Sequence, residues 1–156
     1  METKEERRIL VAVDGGDERL YALSWCLKNI VSDNYKDTLI PLYAKPPPTL
    51  YPYVEGTGYL FSSDVIASVE KYSNDLTECV IEKCRRVCRD SQNKVKVENG
   101  DPRDVVCEMS EKLKTDVLVL GSHGYGFIKR ALLGSVSNHC AQNAKCPVLI
   151  VKKPKH

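Results

Sequence analysis

Residues 116–137 read DVLVLGSHGYGFIKRALLGSVS, and they predict a complete strand–turn–helix unit. The apolar residues 117–120 predict a strand that is buried on both faces. Gly121 and Gly124 follow, where a glycine can turn sharply and let a ligand approach the backbone. Gly134-Ser135 then opens a predicted helix. Such units are typical of open α/β sheets, in which ligands bind beyond the carboxyl ends of parallel strands.

The rest of the chain alternates strands and helices in the same way. Apolar runs predict strands at residues 9–13, 39–44 and 148–151, and the weaker, alternating residues 94–97 predict a strand at a sheet edge. Apolar spacings of three and four predict helices at residues 20–30, 64–89, 101–113 and 135–144. Asp17 and Asp101 are placed to cap two of these helices. The order β-α-β-α-β-α-β-α-β predicts a doubly wound α/β fold with one open parallel sheet.

Length and charge limit the class of protein. The chain has 156 residues, which suits a single domain over residues 1–156 with its core in residues 8–152. The net charge of +2 argues against nucleic-acid or membrane binding driven by charge. No apolar run reaches the ~20 residues of a membrane span, and the charged first residues do not resemble a secretory signal. We therefore expect a cytoplasmic protein, with a Pro- and Tyr-rich loop at residues 45–63.

Seven cysteines raise the question of disulfide bonds or a metal site. The number is odd, the chain has no CxxC pair, and a cytoplasmic protein keeps its thiols reduced. Cys84 and Cys88 share a predicted helical stripe with Val80 and Val87, and no histidine joins them at ligand spacing. This pattern predicts that Cys84 and Cys88 pack in the core as small apolar residues, with metal or redox chemistry as the alternative.

The glycine-rich turns have the chemistry of an anion site. Turns that expose successive N–H groups form a concavity that favours negative charge. The N–H groups and hydroxyl of Gly134-Ser135 add a helix N-terminus, where the helix dipole contributes about half a positive charge. If the bends at the two ends of residues 121–135 meet, they can hold a polyphosphate without a large excess of lysine or arginine.

The spacing G-x2-G-x9-G-S, formed by Gly121, Gly124, Gly134 and Ser135, resembles the ATP-binding signature of the universal stress protein family. Flanking sequence is similar too, including the closing residues 146–151, CPVLIV. This resemblance implies an open five-stranded parallel sheet in the order 3-2-1-4-5 with helices on both faces. It also implies a homodimer that pairs the last strand, Val148–Val151.

The resemblance implies a set of binding residues as well. Asp14 would approach the nucleotide together with Ala12 and Val13, and adenine would bond the backbone near Ala44. Mg²⁺ would bridge phosphate oxygens, with Asp14 as an outer contact. Residues that match the ribose and phosphate contacts of the family are Gly121, Ser122, His123, Gly124, Gly134, Ser135, Val136 and Ser137.

These residues could instead have purely structural roles. Each glycine could only close a turn, Asp14 could be a cap or an ion-pair partner, and Ser135 and Ser137 could cap a helix. His123 has no recognisable nucleophile or orienting partner, so no catalytic or metal-binding residue is predicted. We expect an adenine-nucleotide (ATP or AMP) binding protein that acts as a regulatory or stress-response module. The alternatives are a nucleotide-free dimeric interaction module and a slow ATPase.

Overall fold

The computed structural model of the protein describes residues 6–31, 36–47, 63–89, 94–122 and 134–154. Strands and helices alternate along the chain in the predicted order. They are β1 (Glu6–Val13), α1 (Asp17–Asn29), β2 (Lys36–Lys45), α2 (Ser63–Cys88), β3 (Lys96–Asn99), α3 (Pro102–Lys112), β4 (Val117–Gly121), α4 (Ser135–Asn143) and β5 (Val148–Val151).

The five strands form one parallel sheet in the order β3-β2-β1-β4-β5. This confirms the predicted fold class, including the edge position of the alternating strand β3. β1 lies at the centre because the chain first adds β2 and β3 on one side and then returns to add β4 and β5 on the other. The order of the strands therefore reverses between β1 and β4.

Helices cover both faces of the sheet, which explains the continuous apolar strands. Along β1, Ile9 and Val11 contribute to a core that also contains residues of α1 and α2. The alternate residues Leu10 and Ala12 contribute to a second core, shared with α3 and α4. A strand buried on both faces has no solvent side on which a polar residue would be favourable.

Cys84 and Cys88 pack as the sequence predicts, whereas Cys79 of the same helix is exposed. Cys84 and Cys88 of α2 are buried in the first core together with Val80. All seven cysteines lie in the part of the chain that the structure describes, and all are free thiols. Within that part no group of three or more potential ligands could hold a metal ion. Burial raises the pKa of the Cys84 thiol to about 12, as is usual for an inert core cysteine.

Three strands differ from the predicted bounds by two residues or more: β2 begins at Lys36 instead of residue 39, β3 covers Lys96–Asn99 instead of residues 94–97, and β1 also begins early. β1 begins three residues earlier than predicted, since Arg7 forms two hydrogen bonds of 2.7 Å with Asp37 at the start of β2 and so extends the pairing. Tyr72 of α2 shares the apolar spacing of the buried Val69 and Val80 but is 52% exposed, whereas Ser73 next to it is buried. Ser73 accepts a hydrogen bond from the Thr77 hydroxyl at its backbone carbonyl.

Of the two predicted helix caps, the structure confirms Asp101 and contradicts Asp17. Asp101 caps α3, because its side chain accepts a hydrogen bond of 2.9 Å from the Arg103 N–H. The expectation that Asp17 caps α1 is wrong: Gly16 occupies the cap position, and Asp17 is the first helical residue. An aspartate there still favours the helix through the dipole, without the side-chain cap.

The predicted loop at residues 45–63 is bounded as expected, since β2 ends at Lys45 and α2 begins at Ser63. Pro46 and Pro47 follow β2, and residues 48–62 lie outside the described residues. Among the helices of the described ranges, none combines the length and apolar character that a membrane crossing requires.

Candidate functional site

The two central strands, β1 and β4, stop pairing before they end at the carboxyl end of the sheet. β1 and β4 are paired only from Ile9 and Val117 to Val11 and Val119. Both strands continue for two residues beyond the last pair, to Val13 and Gly121. They therefore separate at the point where strand order reverses, which is the usual ligand position in open α/β sheets.

The N-terminus of α4 lies at the end of β4. The Gly134 N–H donates a hydrogen bond of 2.6 Å to the Ser122 carbonyl oxygen. The Ser137 hydroxyl, which is fully buried, donates one of 2.6 Å to the Gly121 carbonyl oxygen. Ser122 in turn contacts β5, because its N–H donates a hydrogen bond to the Val151 carbonyl oxygen. The two ends of the glycine-rich stretch are thus in contact, and the anion between them stays a prediction.

The first turn of α4 presents backbone donors. Gly134 is the cap residue, no side chain caps this end, and the Asn138 N–H donates to the Gly134 carbonyl oxygen. That bond is the first within the helix, so three earlier N–H groups have no acceptor in it: those of Ser135, Val136 and Ser137. Ser135 is exposed, so this end of the helix is accessible. Free amides and the helix dipole together favour an anion.

The structure shows why position 121 requires a glycine, and the reason was not predicted from the sequence. A Cβ atom at this position would lie 2.7 Å from the Glu18 carbonyl oxygen and 3.2 Å from the Arg19 nitrogen. Its φ angle is not in the left-handed region. The close approach is therefore made by the first turn of α1, and the expectation that Gly121 serves a sharp turn is wrong.

Asp14 directly follows β1, beside the unpaired ends of the two central strands. One carboxylate oxygen accepts a hydrogen bond of 2.7 Å from the Gly16 N–H, and the other lies 3.7 Å from Arg19 Nε. Burial raises the pKa of Asp14, and the Gly16 hydrogen bond and the positive charges of Arg19 and Lys83 oppose that rise. Lys83 of α2 also donates to the Gly15 carbonyl oxygen at 3.2 Å.

Arg19 is a charged residue of this site that sequence reasoning missed. It is only 4% exposed, and Nη1 has no hydrogen-bond partner in the described part of the chain. Burial lowers its pKa, which the charge of Asp14 opposes. Its spacing could have revealed it, since Arg19 precedes the buried Ala22 and Leu23 by three and four residues and so lies on the buried stripe of α1.

The remaining predicted residues lie on neighbouring strands or outside the described ranges. Ala12 and Val13 are buried at the end of β1. Ala44 is buried in β2, which continues for two residues past its last pair with β1, Val13 with Tyr43. His123 and Gly124 lie outside the described residues.

The last strand has the position that the dimer prediction requires. β5 lies at an edge of the sheet and is paired with β4 only, among the strands of the described ranges. Its first three residues are half-buried, so one edge of a mainly apolar strand is open to a partner. Pairing with a second copy stays a prediction.

Known proteins similar to this chain agree with the fold. A sequence model of the universal stress protein family matches residues 6–152. The universal stress protein A-like protein of Arabidopsis thaliana is 27% identical, over 96% of this chain and 91% of its own length. A solved universal stress protein in complex with cAMP is 26% identical, with a TM-score of 0.56 over 93% of this chain and 95% of its own. A family protein from Arabidopsis thaliana with AMP bound shares the fold, with a TM-score of 0.64 at 21% identity over 95% and 92%.

Proposed function

This chain belongs to the universal stress protein family, and we propose that it binds an adenine nucleotide, ATP or AMP, between β1 and β4. One observation carries the proposal: the Gly134–Ser122 hydrogen bond holds the free amides of α4 at the end of β4, beside the separated strands. A binding site at this place combines a concave backbone with a helix N-terminus, which suits a phosphate.

The adenosine part of the ligand would lie over the ends of β1 and β2. β2 extends past β1, so Ala44 lies beyond the last pair with that strand, whereas the Lys45 carbonyl oxygen accepts a hydrogen bond from the Gly100 N–H on the β3 side. A flat base can bond such an edge without any dedicated side chain. Ala12 and Val13 provide small and apolar surroundings at the end of β1.

The phosphate part would meet the N–H groups of Ser135, Val136 and Ser137. Positive charge on this side of the sheet comes from Arg19, which interacts electrostatically with Cys140 of α4 and whose Nη1 lacks a partner among the described residues. An unpaired buried donor costs about 1–3 kcal/mol, and a phosphate oxygen would satisfy it. Arg19 also offsets the negative charge of Asp14, which would otherwise repel a phosphate.

The described part of the protein offers few ligands for Mg²⁺. The oxygens of Asp14 already face the Gly16 N–H and Arg19 Nε, and Lys83 adds a second cation close by. The described residues contain no other group of ligands for a metal ion. We therefore propose that any Mg²⁺ arrives on the phosphates and is held by them, with Asp14 at most an outer contact.

Similar proteins support the choice of ligand. The solved relatives bind cAMP in one case and AMP in the other, and both ligands are adenine nucleotides with one phosphate. Both proteins share the sheet and helices of this chain over more than nine-tenths of its length. A site that holds one phosphate at the α4 amides accepts ATP too if the further phosphates extend toward solvent.

Regulation would follow from the elements that the nucleotide connects. A bound phosphate would link α4, β4 and the first turn of α1, and would favour the conformation in which these three are together. A dimer formed through β5 is coupled to this site, because Ser122 bonds Val151. We propose that a partner recognises the nucleotide-bound form, in a stress response. We also propose a cytoplasmic location, since the seven thiols are free.

Calorimetric titration of AMP, ATP and adenosine tests the proposal. We expect the wild-type protein to bind all three, with the phosphate improving the affinity. The Arg19→Gln variant should bind ATP about 10- to 100-fold more weakly, because a hydrogen bond to a charged group is worth about 1.5–3 kcal/mol. Its affinity for adenosine should be unchanged. The matched control, Arg85→Gln, removes an exposed arginine of α2 and should leave all three affinities as they are.

Two results would contradict the proposal. Absence of binding by the wild-type protein would favour the nucleotide-free interaction module. An equal loss of adenosine and ATP affinity in Arg19→Gln would show that Arg19 does not act on the phosphate. Multiple turnovers of ATP that Asp14→Ala abolishes would instead support the slow ATPase.

A further inference from the structure

We propose that Cys107 and Cys140 form a site of reversible oxidation, at which hydrogen peroxide converts two thiols into a disulfide that links α3 to α4. The two thiols are already in contact: the Cys107 S–H donates to Cys140 Sγ at a sulfur–sulfur distance of 3.6 Å. Both side chains belong to the core on one face of the sheet, where α3 and α4 lie side by side.

The geometry requires only a small movement. A disulfide has a sulfur–sulfur distance of about 2.05 Å, so the two atoms must approach by about 1.5 Å. Rotation of the two side chains, with slight adjustment of the packed helices, can supply this distance. Cys146 lies close enough to interact electrostatically with both thiols, so a link to Cys146 is the alternative product that has to be distinguished.

The two cysteines differ in access, which gives each a role. Cys107 is half-buried, whereas Cys140 is fully buried. Burial raises the pKa of Cys140 to about 12, so this thiol stays protonated at neutral pH and reacts slowly with an oxidant from solution. Cys107 is therefore the sulfur that peroxide reaches first, and Cys140 is the thiol that resolves the product.

The reaction balances in two steps. The Cys107 sulfur attacks peroxide, the O–O bond breaks, and a sulfenic acid and one water form. The Cys140 proton then passes to the sulfenic oxygen while Cys140 Sγ, which is already in contact, attacks the sulfenic sulfur; the S–O bond breaks, and a disulfide and a second water form. Overall, two thiols and one hydrogen peroxide give one disulfide and two waters, and a dithiol reductant reverses the change.

The link would constrain the helix that carries the candidate phosphate amides. Cys140 lies one turn after Ser137 on α4, and the closed loop from Cys107 to Cys140 contains β4. A disulfide across 33 residues reduces the entropy of the unfolded chain. Oxidation should therefore raise the melting temperature by about 5–10 °C, and this expectation does not depend on nucleotide binding.

The test uses the full chain, fully reduced and then treated with hydrogen peroxide. Remaining thiols are blocked with N-ethylmaleimide, and proteolytic peptides are identified by mass spectrometry without reduction. We expect a monomer 2 Da lighter before blocking, with the Cys107 peptide joined to the Cys140 peptide, and reversal by dithiothreitol. Cys107→Ser and Cys140→Ala should both lose the link and the rise in melting temperature. The control Cys79→Ser, at an exposed position on α2, should keep both.

Three outcomes would overturn the proposal. The first is oxidation of Cys107 to higher acids with no cross-linked peptide in the wild-type protein. The second is a link from Cys107 to Cys146 that forms in full yield in Cys140→Ala. The third is a cross-link that joins two chains and disappears in Cys79→Ser. Alanine at position 140 keeps the buried core apolar, and its melting temperature under reducing conditions shows that the variant is folded.

Discussion

Replacement of Gly121 by alanine tests how the end of β4 meets α1. The added Cβ atom would lie 2.7 Å from the carbonyl oxygen of Glu18, 3.0 Å from its carbonyl carbon and 3.2 Å from the nitrogen of Arg19. Ordinary van der Waals contact needs at least 3.4 Å, so the first turn of α1 must move away by about 0.5–1 Å. All three atoms belong to the helix backbone, which cannot rotate away as a side chain can.

The expected cost follows from this geometry. Overpacking of a fitted interface costs about 1–3 kcal/mol, and a glycine-to-alanine change returns about 0.4–1 kcal/mol through the unfolded chain. The φ angle of Gly121 is one that alanine can adopt, so no backbone strain is added. Because the contacts are with helix backbone, the cost lies in the upper half of that range, and we expect a net loss of about 1.5–2 kcal/mol, or a fall in melting temperature of about 3–8 °C.

Thermal unfolding followed by circular dichroism measures this effect, and Gly16→Ala is the matched control. At Gly16 a Cβ atom would lie 3.0 Å from Asp14 Oδ1, a side-chain atom that can turn aside. This variant should lose at most about 1 kcal/mol, mainly because alanine is a poor cap residue. A Gly121→Ala protein that melts at or above the wild-type temperature, or with the same loss as Gly16→Ala, would refute the steric account.

Two further changes test the ends of the helices. Asp101→Ala removes the cap of α3 and should lower the free energy of unfolding by about 1 kcal/mol at pH 7, measured by urea denaturation. The hydrogen bond from Arg103 lowers the pKa of Asp101. The loss of stability in Asp101→Ala should therefore persist above pH 4 and vanish as the pH falls through the pKa that Asp101 has in the folded protein. A loss of stability that is constant down to pH 2 would contradict the assignment. Ser137→Ala removes the hydroxyl that bonds the Gly121 carbonyl oxygen in a fully buried position, and should cost about 1–3 kcal/mol in the same assay. A change below 0.5 kcal/mol would mean that this bond does not hold α4 against β4.

Much of the fold could be predicted, because the strongest sequence signals are local. Continuous apolar runs identify strands that are covered on both faces, and β5 has the predicted bounds, Val148–Val151. The predicted strand ends are wrong where a contact between residues far apart in the sequence determines where the strand begins. The Arg7–Asp37 pair extends β1 and β2 through charged residues, which no apolar pattern includes.

The candidate site was predicted in part. Spacing of the glycines indicated that Ser122 and Gly134 belong to one site, and their hydrogen bond shows that they are in contact. Arg19 was missed because the apolar pattern assumes that charged residues are exposed, although its spacing from Ala22 and Leu23 places it on the buried stripe of α1. The role of Gly121 depends on how α1 packs against β4, and such a tertiary contact has no signature in the sequence of either element.

The central claim is that the first turn of α4 receives the phosphate of an adenine nucleotide. Titration of isotope-labelled protein with AMP and with adenosine, followed by amide resonances in NMR spectra, tests it most directly. AMP should shift the amide signals of Ser135, Val136 and Ser137 strongly, whereas adenosine should shift signals near Ala44 and leave those three almost unchanged. Shifts that cluster elsewhere, or α4 amides that respond equally to both ligands, would contradict the claim.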